Sequence, residues 1–261
     1  MTTDSAPHPV LVVIPVYGNI EATRRCLDSL SASDLPDHVS VLLIDDHSPD
    51  ESLSALCRDI ARRDSYELLV NEQNLGFVAS ANRGFEFKGG ADVLLLNSDT
   101  VVTGDWISRL QACAYRRDNI GTVTPFTNNG TICSYPVFNT SNPLPDQWTA
   151  AELDGLFATA NEGLFCEVPT AVGFCMYIKR ACLDDTGTRS TPSASDRATA
   201  RNAISVSGPA ATAGRTRSRP MFSYSMRAPR VSPANPMSAN APPTRLSRQY
   251  TRNTMNWWRS F

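Results

Sequence analysis

No run of apolar residues in this 261-residue chain approaches the ~18 that a membrane-spanning helix requires. Residues 1–9, MTTDSAPHP, are polar and carry Asp4; they do not read as a secretory signal and are expected to be a disordered N-terminus. The seven cysteines (Cys26, Cys57, Cys113, Cys133, Cys166, Cys175 and Cys182) are odd in number and contain no CxxC pair. That pattern argues against a zinc cluster or a disulfide framework and for reduced thiols in a cytoplasmic setting. No GxGxxG follows the first strand-like run and no GxxxxGK[ST] occurs, so neither a dinucleotide fold nor a Walker loop is supported. Residues 186–261 contain no lysine and a single acid, Asp196.

That last scarcity exposes a division which the formal net charge of −2 conceals. Residues 1–185 hold 12 Lys+Arg against 25 Asp+Glu, a net of −13, whereas residues 186–261 hold 12 Arg against one acid, a net of +11. All seven cysteines lie in the first part, and eight of the 18 prolines lie in the last 76 residues. Two compositions are joined near Asp185. A length of 261 residues leaves room for a sizeable core in the acidic part.

What is present before Asp185 is an alternation of strand and helix. Val10 to Val16 is apolar and β-branched, a first central strand; Ile20 to Leu30 follows with helical spacing. Val39 to Ile44 is a second strand, and Ser48-Pro49-Asp50-Glu51 opens a helix to about Arg63, with Ser48 expected as N-cap. Tyr66 to Val70 is a third strand, Phe77 to Glu86 a helix, and Asp92 onward a strand whose run Val93 to Leu96 is apolar enough to be buried on both faces. Strands and helices at this spacing predict an α/β fold with a mainly parallel sheet over residues 10–185.

Each predicted strand ends in a polar cluster: Tyr17-Gly18-Asn19, Asp45-Asp46-His47-Ser48, Asn71 to Asn74, and Asn97-Ser98-Asp99. In a parallel sheet these ends share one edge, where open α/β sheets bind ligands. Asp45, Asp46 and Asp99 are therefore expected in one crevice, within roughly 15 Å of one another, the span of a bound nucleotide. Carboxylates there attract cations, and phosphate enters such a pocket with a metal to offset the charge. Asn97 and Asp99 offer hard oxygen ligands to a divalent cation. Asn-Ser-Asp-Thr is also good turn chemistry, and Asp45-Asp46 fits a helix-capping turn.

The segments VVIPVYG (Val12 to Gly18), LIDDHSPD (Leu43 to Asp50), NLGFVASANRG (Asn74 to Gly84), LLLNSDT (Leu94 to Thr100), PFTNNGTICSYP (Pro125 to Pro136) and VPTAVGFCMYIKR (Val168 to Arg180) stand in order along the chain. Together they resemble the family 2 inverting glycosyltransferases, and within them the rhamnosyltransferase-like members that attach sugars to bacterial surface polysaccharides. The resemblance implies an A-type glycosyltransferase fold that binds a nucleotide-diphosphate sugar with Mg²⁺ or Mn²⁺. It implies that Pro15 and Tyr17 flank the base and that Asp46, with Asp45 beside it, hydrogen-bonds the base or ribose. Asn74, Gly76 and Asn82 would shape the loop and helix beside the nucleotide, and Asp99, with Asn97, would hold the metal on the diphosphate. Gly173-Phe174-Cys175-Met176 would begin the acceptor side, although Cys175 and Met176 suit a plain core equally well. His47 is expected to be a solvated loop residue.

The resemblance also implies a part that is missing. Inverting transfer needs a general base to take the acceptor hydroxyl's proton. The family supplies it from a GxGEExDF-like motif 20–30 residues past the segment corresponding to Val168 to Arg180. No two adjacent acids follow Asp185. Back-translation of SASDRATARNAISVSGPAATAG with GC-rich codons, read from the third base, permits RFGPRYGEERDFCVRAGRDGW. The same offset turns RPMFSYSMRAPRVS into ADVFVLHAGASS and QYTRNTMNWWRSF into VHPEYDELVAEF. Three family-like segments in one offset predict a slip of frame between about Asp185 and Ser193.

Four readings follow: an active transferase acting on a saccharide or lipid-linked acceptor; a transferase whose last third is out of frame and inactive; a non-catalytic nucleotide-sugar-binding pseudoenzyme; and a protein whose Arg-rich tail is a nucleic-acid or membrane-surface arm. The missing carboxylate favours the second over the first. Against the fourth, the arginines are dispersed among Ala, Pro and Thr, with few aromatics before Trp257-Trp258. No nucleic-acid partner is therefore expected, and membrane association is expected to be peripheral at most. Residues 186–261 are expected to lack a packed core, with short helices admissible at 194–203 and 250–258.

Overall fold

A computed structural model describes residues 7–33, 35–87, 89–168, 170–186 and 221–225. The chain runs β1 (Val10–Val16), α1 (Ile20–Ala32), β2 (Val39–Asp45), α2 (Glu51–Ile60), β3 (Tyr66–Val70), α3 (Phe77–Phe87), β4 (Asp92–Leu96), α4 (Trp106–Ala114), β5 (Ile120–Pro125), α5 (Ala150–Ala160), β6 (Phe165–Glu167), β7 (Cys175–Ile178), α6 (Arg180–Thr186) and β8 (Met221–Ser225). These strands form one sheet in the order β3-β2-β1-β4-β7-β5-β8-β6. Pairing is parallel from β3 through β4, antiparallel on both sides of β7, parallel between β5 and β8, and antiparallel between β8 and β6.

The unbroken apolar runs of β1 and β4 are buried along their whole length because helices cover both faces. Successive side chains of a strand point to opposite faces. Val10, Val12, Ile14 and Val16 accordingly join one buried cluster with Leu27 and Leu30 of α1, Leu53 and Ile60 of α2, and Trp106 and Leu110 of α4. Leu11 and Val13 join the other, with Ala81 and Phe85 of α3 and Leu183 of α6. Each such fully buried aliphatic side chain contributes about 2 kcal/mol. Cysteines are absorbed into this packing: none is paired in a disulfide among the described residues, and all but Cys166 are buried.

Contacts divide the chain into two compact units, with Phe126–Leu164 leaving the one that contains the sheet. Phe126–Leu164 organises itself on local hydrogen bonds: buried Asn142 donates to the carbonyl of Val137 (2.9 Å) and accepts from the Val137 amide (3.1 Å). Tyr135 packs edge-on against Phe126 and Phe157. Helix α5 starts at a reciprocal Thr149–Glu152 capping box, yet none of its residues is buried.

Three expectations change. Helix α2 begins at Glu51 with Asp50, not Ser48, as its N-cap: Asp50 accepts from the Ser52 amide at 2.9 Å. The reason lies upstream, where Asp45 captures the Ser48 amide (2.9 Å) and His47 takes φ 56°, so the chain completes a turn before the helix can start. Residues 7–9, read as part of a disordered N-terminus, are tied down. The His8 ring stacks on Tyr115 at 4.2 Å and the Pro9 carbonyl accepts from the Asp92 amide at 2.9 Å. Finally, Met221–Ser225, expected to lie in a tail without a core, is a strand of the sheet, its Phe and Tyr being β-prone residues. The expected helices at 194–203 and 250–258 lie outside the described residues.

Candidate functional site

The site is set by where parallel strands stop. Register runs from Val10 opposite Val39 to Val16 opposite Asp45, and Val13 stands opposite Leu95, so β1, β2 and β4 end on the same edge. β2 and β4 flank β1, which places their ends about 10 Å apart, two inter-strand spacings. Tyr17, just past β1, is 53% exposed. Pro15 is buried within β1 opposite Ile44. Asn19 accepts from the Ala22 amide (3.0 Å) and so starts α1.

The adjacent carboxylates Asp45 and Asp46 are both buried but have opposite partners, because the strand's alternation turns them to opposite faces. Asp45 accepts from the Ser48 amide (2.9 Å) and from the Ser54 hydroxyl of α2 (2.5 Å). Asp46 turns toward the loop after β3: its Oδ1 accepts from Asn71 Nδ2 (2.6 Å) and the Leu75 amide (2.8 Å), and its Oδ2 from the Gly76 amide (2.8 Å). A carboxylate has about four acceptor positions. Three are filled among the described residues, which leaves Asp46 Oδ2 one.

Gly76 has φ 81°, a left-handed conformation that a side chain disfavours and that aims its amide at Asp46. Asn74 is exposed, and Asn82 is half-buried in the middle of α3. Sequence reasoning missed the group that organises this loop. Asn71 is fully buried; its Nδ2 donates to Asp46 and to Ser80 Oγ (2.7 Å), and its Oδ1 accepts from Arg83. The available signal was the spacing of Ser80 and Arg83, three apart on α3 and therefore on one helix face.

Beyond β4, Asn97 is braced through its backbone: its amide donates to the Phe174 carbonyl (2.8 Å), and its carbonyl accepts from the Thr100 amide (3.1 Å) and the Cys26 thiol (3.5 Å). Its side-chain Oδ1 is buried and has no hydrogen-bond partner among the described residues. Asp99 is exposed, and no hydrogen bond or ion pair to it occurs among the described residues. Burial pushes the Cys26 thiol up to about 12, partly offset by the Thr100 amide and reinforced by the charge of Asp99, so this thiol is inert. An orphaned amide oxygen two residues from an open carboxylate fits a hard divalent cation. No group of three or more His, Cys, Asp or Glu side chains suited to a metal occurs among the described residues, so such an ion would draw further ligands from its substrate.

Phe174 contributes its backbone to this brace, while Cys175 and Met176 are buried core residues of β7. His47 is exposed, beside but outside the hydrogen-bonded groups. Among the described residues no helix is long and apolar enough to cross a membrane.

These features converge with comparison to known proteins. Residues 11–187 match the family model "Glycosyl transferase family 2", and the chain belongs to that family. Glycosyltransferase AglE of Haloferax volcanii is 27% identical over 101 residues, 38% of this chain and 33% of that protein. Glycosyltransferase GlyA of Streptococcus pneumoniae is 27% identical over 101 residues, 39% of this chain and 14% of that protein. The chain thus spans a third or less of the length of these two relatives. A crystal structure of GalNAc-T7 with UDP, GalNAc and Mn²⁺ superposes with TM-score 0.52 at 18% identity, covering 70% of this chain and 37% of that one. The fold is the mixed, mainly parallel α/β sheet of the A-type glycosyltransferases.

Proposed function

We propose that this chain binds a nucleoside-diphosphate sugar at the edge formed by β1, β2 and β4. The corresponding in-frame enzyme transfers the sugar, with inversion, to a saccharide or lipid-linked acceptor in bacterial cell-surface polysaccharide synthesis in the cytoplasm. The observation that carries the reading is the contrast among oxygens at that edge: Asp99 and Asn97 Oδ1 have no partner among the described residues, while Asp46 keeps one acceptor position on a rigidly held carboxylate.

In this reading Pro15 and Tyr17 flank the base, and Asp46 accepts a hydrogen bond from the base or ribose. Asn74, Gly76 and Asn82 shape the adjoining wall, and Asp45 holds the turn that presents Asp46. Asp99 and Asn97 would hold Mg²⁺ or Mn²⁺, in keeping with the Mn²⁺ bound by GalNAc-T7. When bound, that ion neutralises charge on the leaving diphosphate.

Residues 10–185 form the donor half, and the Arg-rich segment from 186 is its acceptor half read out of frame. The chain as written therefore binds donor but transfers sugar slowly, since no acidic pair follows Asp185 to serve as general base. Restoring the reading frame after Asp185 should raise donor turnover about 10²–10⁴-fold, the usual contribution of general-base catalysis. Equal rates for the restored and unrestored chains would show that the tail is genuine and the frame intact.

A further inference from the structure

We infer that Arg83 is a positioning residue for the donor base, acting through Asn71 on Asp46. The inference rests on the donor-binding reading above. Asn71 is fully buried, and every polar group of its side chain is engaged: Nδ2 toward Asp46 Oδ1 (2.6 Å) and Ser80 Oγ (2.7 Å), Oδ1 toward Arg83 Nη1. An amide has a donor end and an acceptor end. Turned over, Asn71 would aim its oxygen at the Asp46 carboxylate, acceptor against acceptor. Arg83, which can only donate, is the group that makes the turned arrangement unfavourable on both sides at once.

The height of Arg83 is set by its neighbour. A Cβ on Gly84 would lie 2.3 Å from Val13 Cγ1 and 3.1 Å from Ile44 Cδ1, so α3 presses directly on β1 and β2 there. Ser80, one turn earlier on the same helix face, takes the second N–H of Asn71. Helix α3, clamped against the sheet, thus delivers Ser80 and Arg83 to one buried amide, and that amide fixes Asp46. The loop amides of Leu75 and Gly76 fix the carboxylate from its other side. What remains among the described residues is a single acceptor position on Oδ2, suited to a base with a ring N–H, as in uracil or guanine; adenine could offer it only its exocyclic amine. Arg83 itself is exposed, and no other hydrogen bond or ion pair of its guanidinium occurs among the described residues. Its loss therefore removes the lock without opening the core.

The test is calorimetric titration of UDP, GDP and ADP, each with Mn²⁺, into the full chain and into its Arg83→Ala and Arg83→Lys variants, with thermal melts in parallel. Arg83→Ala should weaken UDP binding about tenfold, the scale of one charge-assisted hydrogen bond. It should also bring the UDP-to-ADP affinity ratio toward unity while lowering the melting temperature only slightly, as the loss of one hydrogen bond does, and Arg83→Lys should recover part of both losses. Unchanged UDP affinity in Arg83→Ala overturns the inference. So does an equal loss for all three nucleotides, which marks a phosphate contact, or a large drop in melting temperature, which marks a fold contact. Equal binding of UDP, GDP and ADP by the unaltered chain overturns it as well and leaves donor binding standing. Failure of the unaltered chain to bind any of them removes the donor-binding reading and this inference together.

Discussion

The two ends of β4 carry the same chemistry to opposite outcomes. At its start, Asp92 is buried and surrounded by donors: the hydroxyls of Tyr177 (2.5 Å) and Tyr115 (2.8 Å) on Oδ2, and the Arg180 amide (2.7 Å) on Oδ1. Around it Gln111 donates to Tyr177, His8 stacks on one face of Tyr115, and Lys179 lies 4.6 Å from the centre of the same ring. At the other end Asp99 is exposed without a partner among the described residues, and Asn97 Oδ1 is buried without one. A buried carboxylate fully supplied with donors belongs to the structure, because removing it strands every group that faces it. A carboxylate left open beside an orphaned amide oxygen contributes little to folding, and its value lies in what it can bind. Seven positions along one strand and its loop separate the two carboxylates.

The strongest way to break this contrast is at the open end. Asp99→Ala in the frame-restored protein should lower turnover about 10²–10³-fold, the range for removing one preorganised group that steadies transition-state charge. In the chain as written it should abolish the Mn²⁺ dependence of UDP binding, and the melting temperature should stay where it is. A large drop in melting temperature would make Asp99 a structural residue like Asp92 and erase the distinction.

At the closed end the effects should reverse. Asp92→Ala should cost about 3 kcal/mol in urea unfolding, because two buried hydroxyls and an amide lose their acceptor. Mn²⁺-dependent UDP binding at the far edge should persist in the fraction that remains folded. The same cluster predicts a pH response. Burial, reinforced by the hydrogen bonds to Asp92, raises the phenols of Tyr115 and Tyr177 well above the ordinary value of 10.0. In the unfolded chain they ionise near that value; in the folded chain they do not. Their contribution to stability is thus complete below about pH 10 and is lost as pH rises beyond it, in steps that Tyr177→Phe should reduce. Alkaline melts that show no decline beyond that of the Tyr177→Phe variant would mean that the phenols titrate normally.

How much of this contrast the sequence revealed follows from which interactions are local. The apolar runs of β1, β2, β3 and β4 and the polar clusters after them were legible, because a strand buried on both faces and a loop at its end leave adjacent marks in the chain. Asp92 was read only as the first residue of a strand: its donors arrive from Tyr115, Tyr177 and Arg180, up to 88 positions away. The Asn71 group was hidden for the same reason, since Asp46 lies 25 positions before it. The N-cap of α2 was misplaced because Asp45, a residue credited to the ligand crevice, draws in the Ser48 amide. The grouping of Phe126–Leu164 apart from the sheet leaves no mark in the sequence as plain as a strand; it involves single polar residues such as Asn142.

The smallest expected effect tests the division within the Asp45–Asp46 pair. Asp45 accepts from Ser48 and from Ser54, the latter reaching across from α2, so its carboxylate is directed into the fold rather than toward a ligand. Ser54→Ala removes one of these two donors and leaves the loop around Asp46 untouched: Asn71, Leu75 and Gly76 still supply its three hydrogen bonds. The variant should lose about 1 kcal/mol of stability in urea unfolding, the net worth of a single buried hydrogen bond. UDP affinity with Mn²⁺ should match that of the unaltered chain, because nothing that faces the crevice has moved. If affinity falls while stability holds, Asp45 is released toward the ligand by the loss of Ser54 and the two neighbouring carboxylates act as one binding group. If stability alone falls, strand alternation has assigned one carboxylate to α2 and the other to the donor, as the opposite directions of their hydrogen bonds require.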